Sequence, residues 1–266
     1  MTDTIIEMHE LTQVFGSHIA CDHISFSVER GEIFGLIGPN GAGKSTLIKM
    51  LTTLLPPTSG AAKVAGYDII EEAAKVRGHI GYVPQLLSAD GSLTGRENLL
   101  LSARLYLVPR RERQVRVRAA LDIMGLTDAA DRLVQGYSGG MIRRLEIAQS
   151  MIHRPAVLFM DEPTEGLDPV ARHSVWDDMR RLRGEFGTTI LVTTHLMEEA
   201  DTLCERVGVL HNGRLEELGK PAELKAQLGP NATMDDVFAH VTGAEIDSGG
   251  TYRDVRQSRR TLHTRA

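Results

Sequence analysis

Gly38-Pro39-Asn40-Gly41-Ala42-Gly43-Lys44-Ser45-Thr46 follows a nearly continuous apolar run, Glu32 to Ile37, and opens a helical stretch, Lys44 to Leu55, that Pro56-Pro57 closes. An apolar run this short reads as a strand buried on both faces, the mark of a parallel sheet. The nonapeptide contains G-x-x-x-x-G-K-S, and strand, glycine loop and helix in that order are the setting a phosphate-binding loop requires. Glycines let successive backbone N–H groups turn inward on phosphate oxygens, and the following helix adds its positive end. Lys44 then reaches the β- and γ-phosphates, and the Ser45 hydroxyl ligates magnesium. Gly38, Asn40, Gly41, Gly43 and Thr46 complete the candidate cradle.

The loop alone leaves GTPases, kinases and several ATPase families open. No Asn-Lys-x-Asp occurs in the chain, so guanine specificity lacks its usual support. Farther on, the apolar run Val157 to Met160 ends in Asp161-Glu162. Two carboxylates at a buried strand end are costly unless a cation or a proton offsets them. Beside a phosphate loop, Asp161 reads as a magnesium ligand through its water shell, and Glu162 as the group that polarises the attacking water. Asp-Glu ahead of Pro163-Thr164 also suits a helix N-terminus. Tyr137-Ser138-Gly139-Gly140-Met141 precedes a helical stretch, Ile142 to Met151. A serine and two glycines there make either a second anion site or an ordinary Ser N-cap. Two phosphate loops so far apart suggest that each nucleotide touches both, one from each of two copies.

Around these motifs the chain reads as α/β. His23 to Glu29 alternates polar and apolar residues at period 2. Thr94-Gly95-Arg96-Glu97 has capping-box spacing ahead of a helix from Asn98 to Tyr106, and Arg110 to Met124 is a second helix with Gly125 as its C-cap. Strands Ala156 to Met160 and Thr188 to Thr193 then alternate with helices Val170 to Arg183 and Leu196 to Cys204. Val207 to Leu210 and Leu215 to Leu218 flank Asn212-Gly213, a tight hairpin turn. The expected organisation is a P-loop NTPase (RecA-like) core from residues 1–85 and 153–228, with N-terminal antiparallel β strands. An α-helical subdomain, 86–152, is inserted, and a C-terminal extension, 229–266, is largely disordered after 243.

Bulk properties narrow the partners. A net charge of -5 over 266 residues gives no electrostatic reason to expect nucleic acid. Cys21 and Cys204 have no ligand spacing, which argues against zinc or a disulfide framework and for a reducing cytoplasm. No secretory segment is visible, and no apolar run reaches the roughly 18 residues a membrane span needs.

Taken in order, Gly38 to Thr46, Gln85, Tyr137 to Met141, Leu158 to Glu162 and His195 resemble the ATP-binding subunit of an ABC transporter, over about Ile5 to Leu228. Leu93 to Asn98, the Tyr137-to-Met141 form with Arg143-Arg144 after it, and Val237 to Gly243 are similar to the daunorubicin/doxorubicin-resistance type, which drives ABC-2 exporters of drugs, lipids or glycans. The resemblance implies ATP and Mg2+ as cofactors and a catalytic set of Glu162, His195, Gln85 and Lys44. His195 would bind the γ-phosphate and hold the water for Glu162. Gln85 would join Ser45 and Asp161 near the metal and pass the nucleotide state to a membrane subunit. Phe15 would stack on adenine, while Ser138, Gly139, Gly140 and Asp168 would face the second subunit. Also implied are a transmembrane permease on a separate chain, a nucleotide-sandwich dimer with a second copy or a homologous subunit, and a location on the cytoplasmic face of the membrane. Met141 stands where that signature commonly has Gln, and Glu165 where small or uncharged residues are commoner. A soluble ABC-type ATPase acting on ribosomes or nucleic acid is the alternative; such proteins usually carry two ATPase domains or a long coiled coil. An importer subunit, usually with a Gln-ended signature, is the third.

Overall fold

The structure is a computed structural model that describes residues 3–243; the tail expected to be disordered after 243 lies outside the described residues. An antiparallel sheet ordered β2-β1-β4-β5 consists of β1 (Thr4–Phe15), β2 (His18–Glu29), β4 (Ser59–Val64) and β5 (Tyr67–Asp68). The larger sheet is ordered β10-β9-β3-β8-β7-β6. It holds β3 (Ile33–Ile37), β6 (Ile80–Val83), β7 (Val157–Asp161), β8 (Thr189–Thr194), β9 (Arg206–His211) and β10 (Arg214–Gly219). Its pairings are parallel except the β9–β10 hairpin. There Asn212 and Gly213 have φ of 49° and 80°, the two left-handed residues of a type I′ turn.

Every residue of β3, β7 and β8 is buried, because alternate side chains feed two different cores. Phe34, Leu36, Phe159 and Leu191 meet the antiparallel sheet and α1 (Lys44–Leu51). Ile33, Ile37, Leu158, Met160 and Val192 join the helices of the other face. Those helices are α3 (Gly95–Leu105), α4 (Arg110–Ile123), α5 (Gly139–Met151), α6 (Pro169–Phe186), α7 (Met197–Leu203), α8 (Pro221–Leu228) and α9 (Met234–Thr242). The short α2 (Ala73–His79) leads into β6.

Two helix ends near the motifs differ from the sequence reading, and one helix was not anticipated. Helix α1 stops at Leu51, four residues before Leu55, and the prolines are not the cause. Thr53 turns left-handed at φ 64°, and the Leu54 N–H returns to the Lys49 carbonyl at 2.8 Å and that of Thr53 to Met50 at 3.0 Å. That bond pair is a Schellman stop. Helix α3 begins at Gly95, ahead of Asn98, because Thr94 is its N-cap and shares a complete capping box with Glu97. Within the expected 229–266 extension, α9 starts on a Thr233–Asp236 capping box and buries Met234, Val237 and Phe238 in the helical-face core.

One buried acid carries a pH prediction. Asp178 on α6 is 7% exposed with an unpartnered Oδ2, and burial pushes its carboxyl up to about 6 against the pull of Arg144 and Arg181. The folded chain thus holds this proton more tightly than the unfolded one, so its contribution to stability falls as pH rises from about 4 through 6. Asp178→Asn is expected to raise stability at neutral pH by about 1–3 kcal/mol and to lose that gain below about pH 4. Melting curves of both proteins across that range check it.

Candidate active site

The carboxyl ends of β3, β8, β7 and β6 lie side by side, and crevices at such ends are where open α/β sheets bind ligands. Strand β3 feeds the glycine loop, β8 leads to His195, β7 ends on Asp161 beside Glu162, and β6 leads through Pro84 to Gln85. At the end of the loop Gly43 has φ 107°, and a Cβ there would stand 2.3 Å from the Ala20 carbonyl oxygen, so only glycine passes. Helix α1 starts with no side-chain cap, leaving its first-turn N–H groups without intrahelical acceptors. These residues line a cleft of about 370 Å³ with Asn40, Gly41, Phe15, His18, Gln85 and Glu162.

At the floor of the cleft Lys44 and Glu162 are 4% and 6% exposed and paired at 3.1 Å. The Lys44 Nζ also donates to the carbonyls of Gly38 at 2.7 Å and Pro39 at 3.2 Å. His195 Nδ1 lies 2.9 Å from the other Glu162 oxygen. Both carboxylate oxygens are therefore engaged, one by a cation that incoming phosphate would compete for. Glu162 itself has φ 46°, a left-handed conformation that costs a non-glycine residue on the order of 1–3 kcal/mol. Two bonds hold it there: its N–H donates to the Thr193 carbonyl at 3.2 Å and to Thr193 Oγ1 at 3.0 Å.

Asp161 Oδ1 accepts from Ser45 Oγ at 3.0 Å and from Thr193 Oγ1 at 2.6 Å. A hydroxyl and a carboxylate so close form an all-oxygen donor pair that fits Mg2+, which keeps several waters and shares phosphate oxygens. Among the described residues no cluster of three or more His, Cys, Asp or Glu could form a cage of its own, so the fit is to a cation that arrives with phosphate. Gln85 lines the same cleft, and its amide donates to Glu165 Oε2 at 2.6 Å. Glu165, anomalous in sequence, thereby has a partner.

Four candidates lie elsewhere. Ser138 accepts from the Met141 N–H at 3.3 Å and is the N-cap of α5. A Cβ on Gly140 would meet the Ala171 Cβ at 2.9 Å, so this loop sits tightly against the start of α6. Asp168 caps that helix, accepting from the Ala171 N–H at 2.9 Å. Neither Ser138, Gly139, Gly140 nor Asp168 lines the cleft, and the Ser138 and Gly139 positions are exposed. Met141 packs against the helical-face core. Phe15 is 48% exposed at the cleft rim, not a core residue. Two further residues, Thr193 and His18, were not anticipated. The pairing Phe15↔His18 across the β1–β2 turn puts both at the rim.

The family model described as ABC transporter matches residues 21–165, just over half of the chain. The chain belongs to the ABC transporter family. Among its relatives, the daunorubicin/doxorubicin resistance ATP-binding protein DrrA of Streptomyces peucetius is 46% identical over 226 residues, covering 85% of this chain and 68% of that one. The probable multidrug ABC transporter ATP-binding protein YbhF of Escherichia coli (strain K12) is 42% identical over 240 residues, or 89% of this chain. This chain spans only 41% of the length of YbhF. A solved structure of an ATP binding subunit of an ABC transporter superposes with a TM-score of 0.80 at 30% identity, covering 90% of this chain and 99% of that one. This ABC protein thus carries the family's ATPase domain, with the mixed α/β fold that its glycine loop leads one to expect. No helix among its described residues is long and apolar enough to cross a membrane.

Proposed function

We propose that this ABC ATPase powers an ABC-2-type exporter of a drug, lipid or glycan. It works as a nucleotide-sandwich dimer on the cytoplasmic face of the membrane, beneath a permease on a separate chain. The observation that carries the dimer is the separation of two anion loops: Ser138-Gly139-Gly140 opens a helix, exposes Ser138 and Gly139, and stands outside the cleft that holds Lys44 and Glu162. A second copy brings the two together. Relatives named for multidrug transport and for daunorubicin resistance support export.

ATP enters with its phosphates against the first turn of α1, where N–H groups and the helix dipole favour negative charge. Lys44 exchanges Glu162 for phosphate oxygens. Ser45 and Asp161 would hold Mg2+, which when bound would neutralise phosphate charge. Glu162, released from Lys44, polarises the attacking water, and His195 keeps that water in line with the γ-phosphate. Phe15 stacks on adenine, a contact worth about 1–3 kcal/mol. The second copy supplies Ser138 and the N–H groups of Gly139 and Gly140 to the γ-phosphate, with Asp168 at the seam. Gln85 reports the outcome to the permease.

Affinity purification of the full chain from detergent-solubilised membranes tests this reading. Recovery of a multispanning membrane protein is the expected result. Recovery of ribosomes without such a protein would overturn it in favour of the soluble class.

A further inference from the structure

Arg143 and Glu146 lie one turn apart on α5, are 3% and 2% exposed, and pair at 3.0 Å. Burying two charges is a poor way to gain stability, because desolvation offsets most of their attraction. Arg143 Nε is moreover buried without a partner. The remaining bonds of the pair converge on one segment. Arg143 Nη1 donates to the Pro84 carbonyl at 2.7 Å and Nη2 to that of Gln85 at 2.8 Å. Glu146 Oε1 accepts from the Ser88 N–H, from Ser88 Oγ at 3.1 Å and from the Ala89 N–H at 3.3 Å. The pair therefore grips residues 84–89 at both ends, through four backbone groups and the Ser88 hydroxyl. From there the Gln85 side chain reaches Glu165, whose N–H returns to the Glu162 carbonyl at 3.2 Å.

We propose that Arg143 and Glu146 are positioning residues for ATP hydrolysis, clamping residues 84–89 to α5 so that the Ser138 loop and Gln85 move as one body. The clamp rests on the ATPase reading above and adds a physical connection to it. When α5 shifts to bring Ser138 onto the nucleotide of a second copy, the shift reaches the Gln85–Glu165 contact and the loop behind Glu162 without needing an intermediary. Hydrolysis and subunit closure are thereby linked within one helix.

Arginine is required by the geometry. Lysine would keep the charge opposite Glu146, but it lacks the fork whose two ends serve Pro84 and Gln85. Arg143→Lys in the full chain is expected to melt as cooperatively as the parent and to keep its KM for ATP within about twofold, while kcat falls about fivefold or more. Amide deuterium exchange over residues 84–89, measured without nucleotide, should accelerate about tenfold. Parental kcat together with parental exchange would overturn the clamp and leave a merely structural ion pair. Should the lysine variant not fold, the Arg143→Met/Glu146→Leu double variant removes both charges at similar volume and faces the same two readouts. A parent chain with no ATPase activity would instead overturn the functional reading, while the exchange measurement would still judge the clamp.

Discussion

Glu162→Gln is expected to lower the turnover of ATP by about 10²–10⁴-fold while ATP still binds and the protein accumulates as a dimer. Glutamine keeps the shape of the side chain and one acceptor oxygen, so the left-handed turn at φ 46° and its two bonds to Thr193 remain. What it loses is the ability to take a proton. It also leaves Lys44, now 3.1 Å from a carboxylate oxygen, without its counter-charge, which favours phosphate in the cleft. Binding and closure should therefore survive, and the step that reopens the dimer should not. ATPase assays with size-exclusion chromatography in ATP and in ADP read both halves of the result. Turnover close to that of the parent would remove Glu162 from the role of base.

Ser138→Arg is expected to reduce hydrolysis by about 10²-fold or more, the scale at which donors to developing charge act, with nucleotide affinity of the monomer nearly unchanged. Ser138 is outside the cleft, so a bulky cation there touches nothing that the first copy uses to hold ATP. In the proposed dimer it does occupy the face on which the γ-phosphate of another copy would meet the Gly139 and Gly140 amides. Losing the cap bond to Met141 costs about 1 kcal/mol, too little to unfold a domain. Titration with a fluorescent ATP analogue at low protein concentration separates the two effects. A large loss of affinity by the monomer would put Ser138 in its own chain's site.

Most of the parallel core was legible because its strands are apolar throughout and its glycine loop has one physical reading. The Asp161–Glu162 pair was legible for a related reason: charge at the end of such a strand needs an explanation. Thr193 was not, because its bonds to Asp161 and Glu162 depend on the register Asp161↔Thr193 between β7 and β8, which neither segment specifies locally. The early stop of α1 depends on a threonine in a conformation that favours glycine, so no residue type announces it. Helix α9 hid behind a capping box that ends in Asp236 where the usual pattern has Glu or Gln. Glu165 makes sense only beside Gln85, 80 residues away in the chain. At Ser138 the structure shows the capping role, with the side chain accepting from the Met141 N–H at the start of α5, and the anion-binding role belongs to the proposed dimer.

The direct test of the composite site is the ATPase rate of the full chain at saturating Mg-ATP along a dilution series, with particle mass followed by light scattering. A rate per chain that falls in step with the dimer fraction, approaching zero as the protein becomes monomeric, is the result expected here. A rate per chain that stays constant down to a strictly monomeric solution would contradict it.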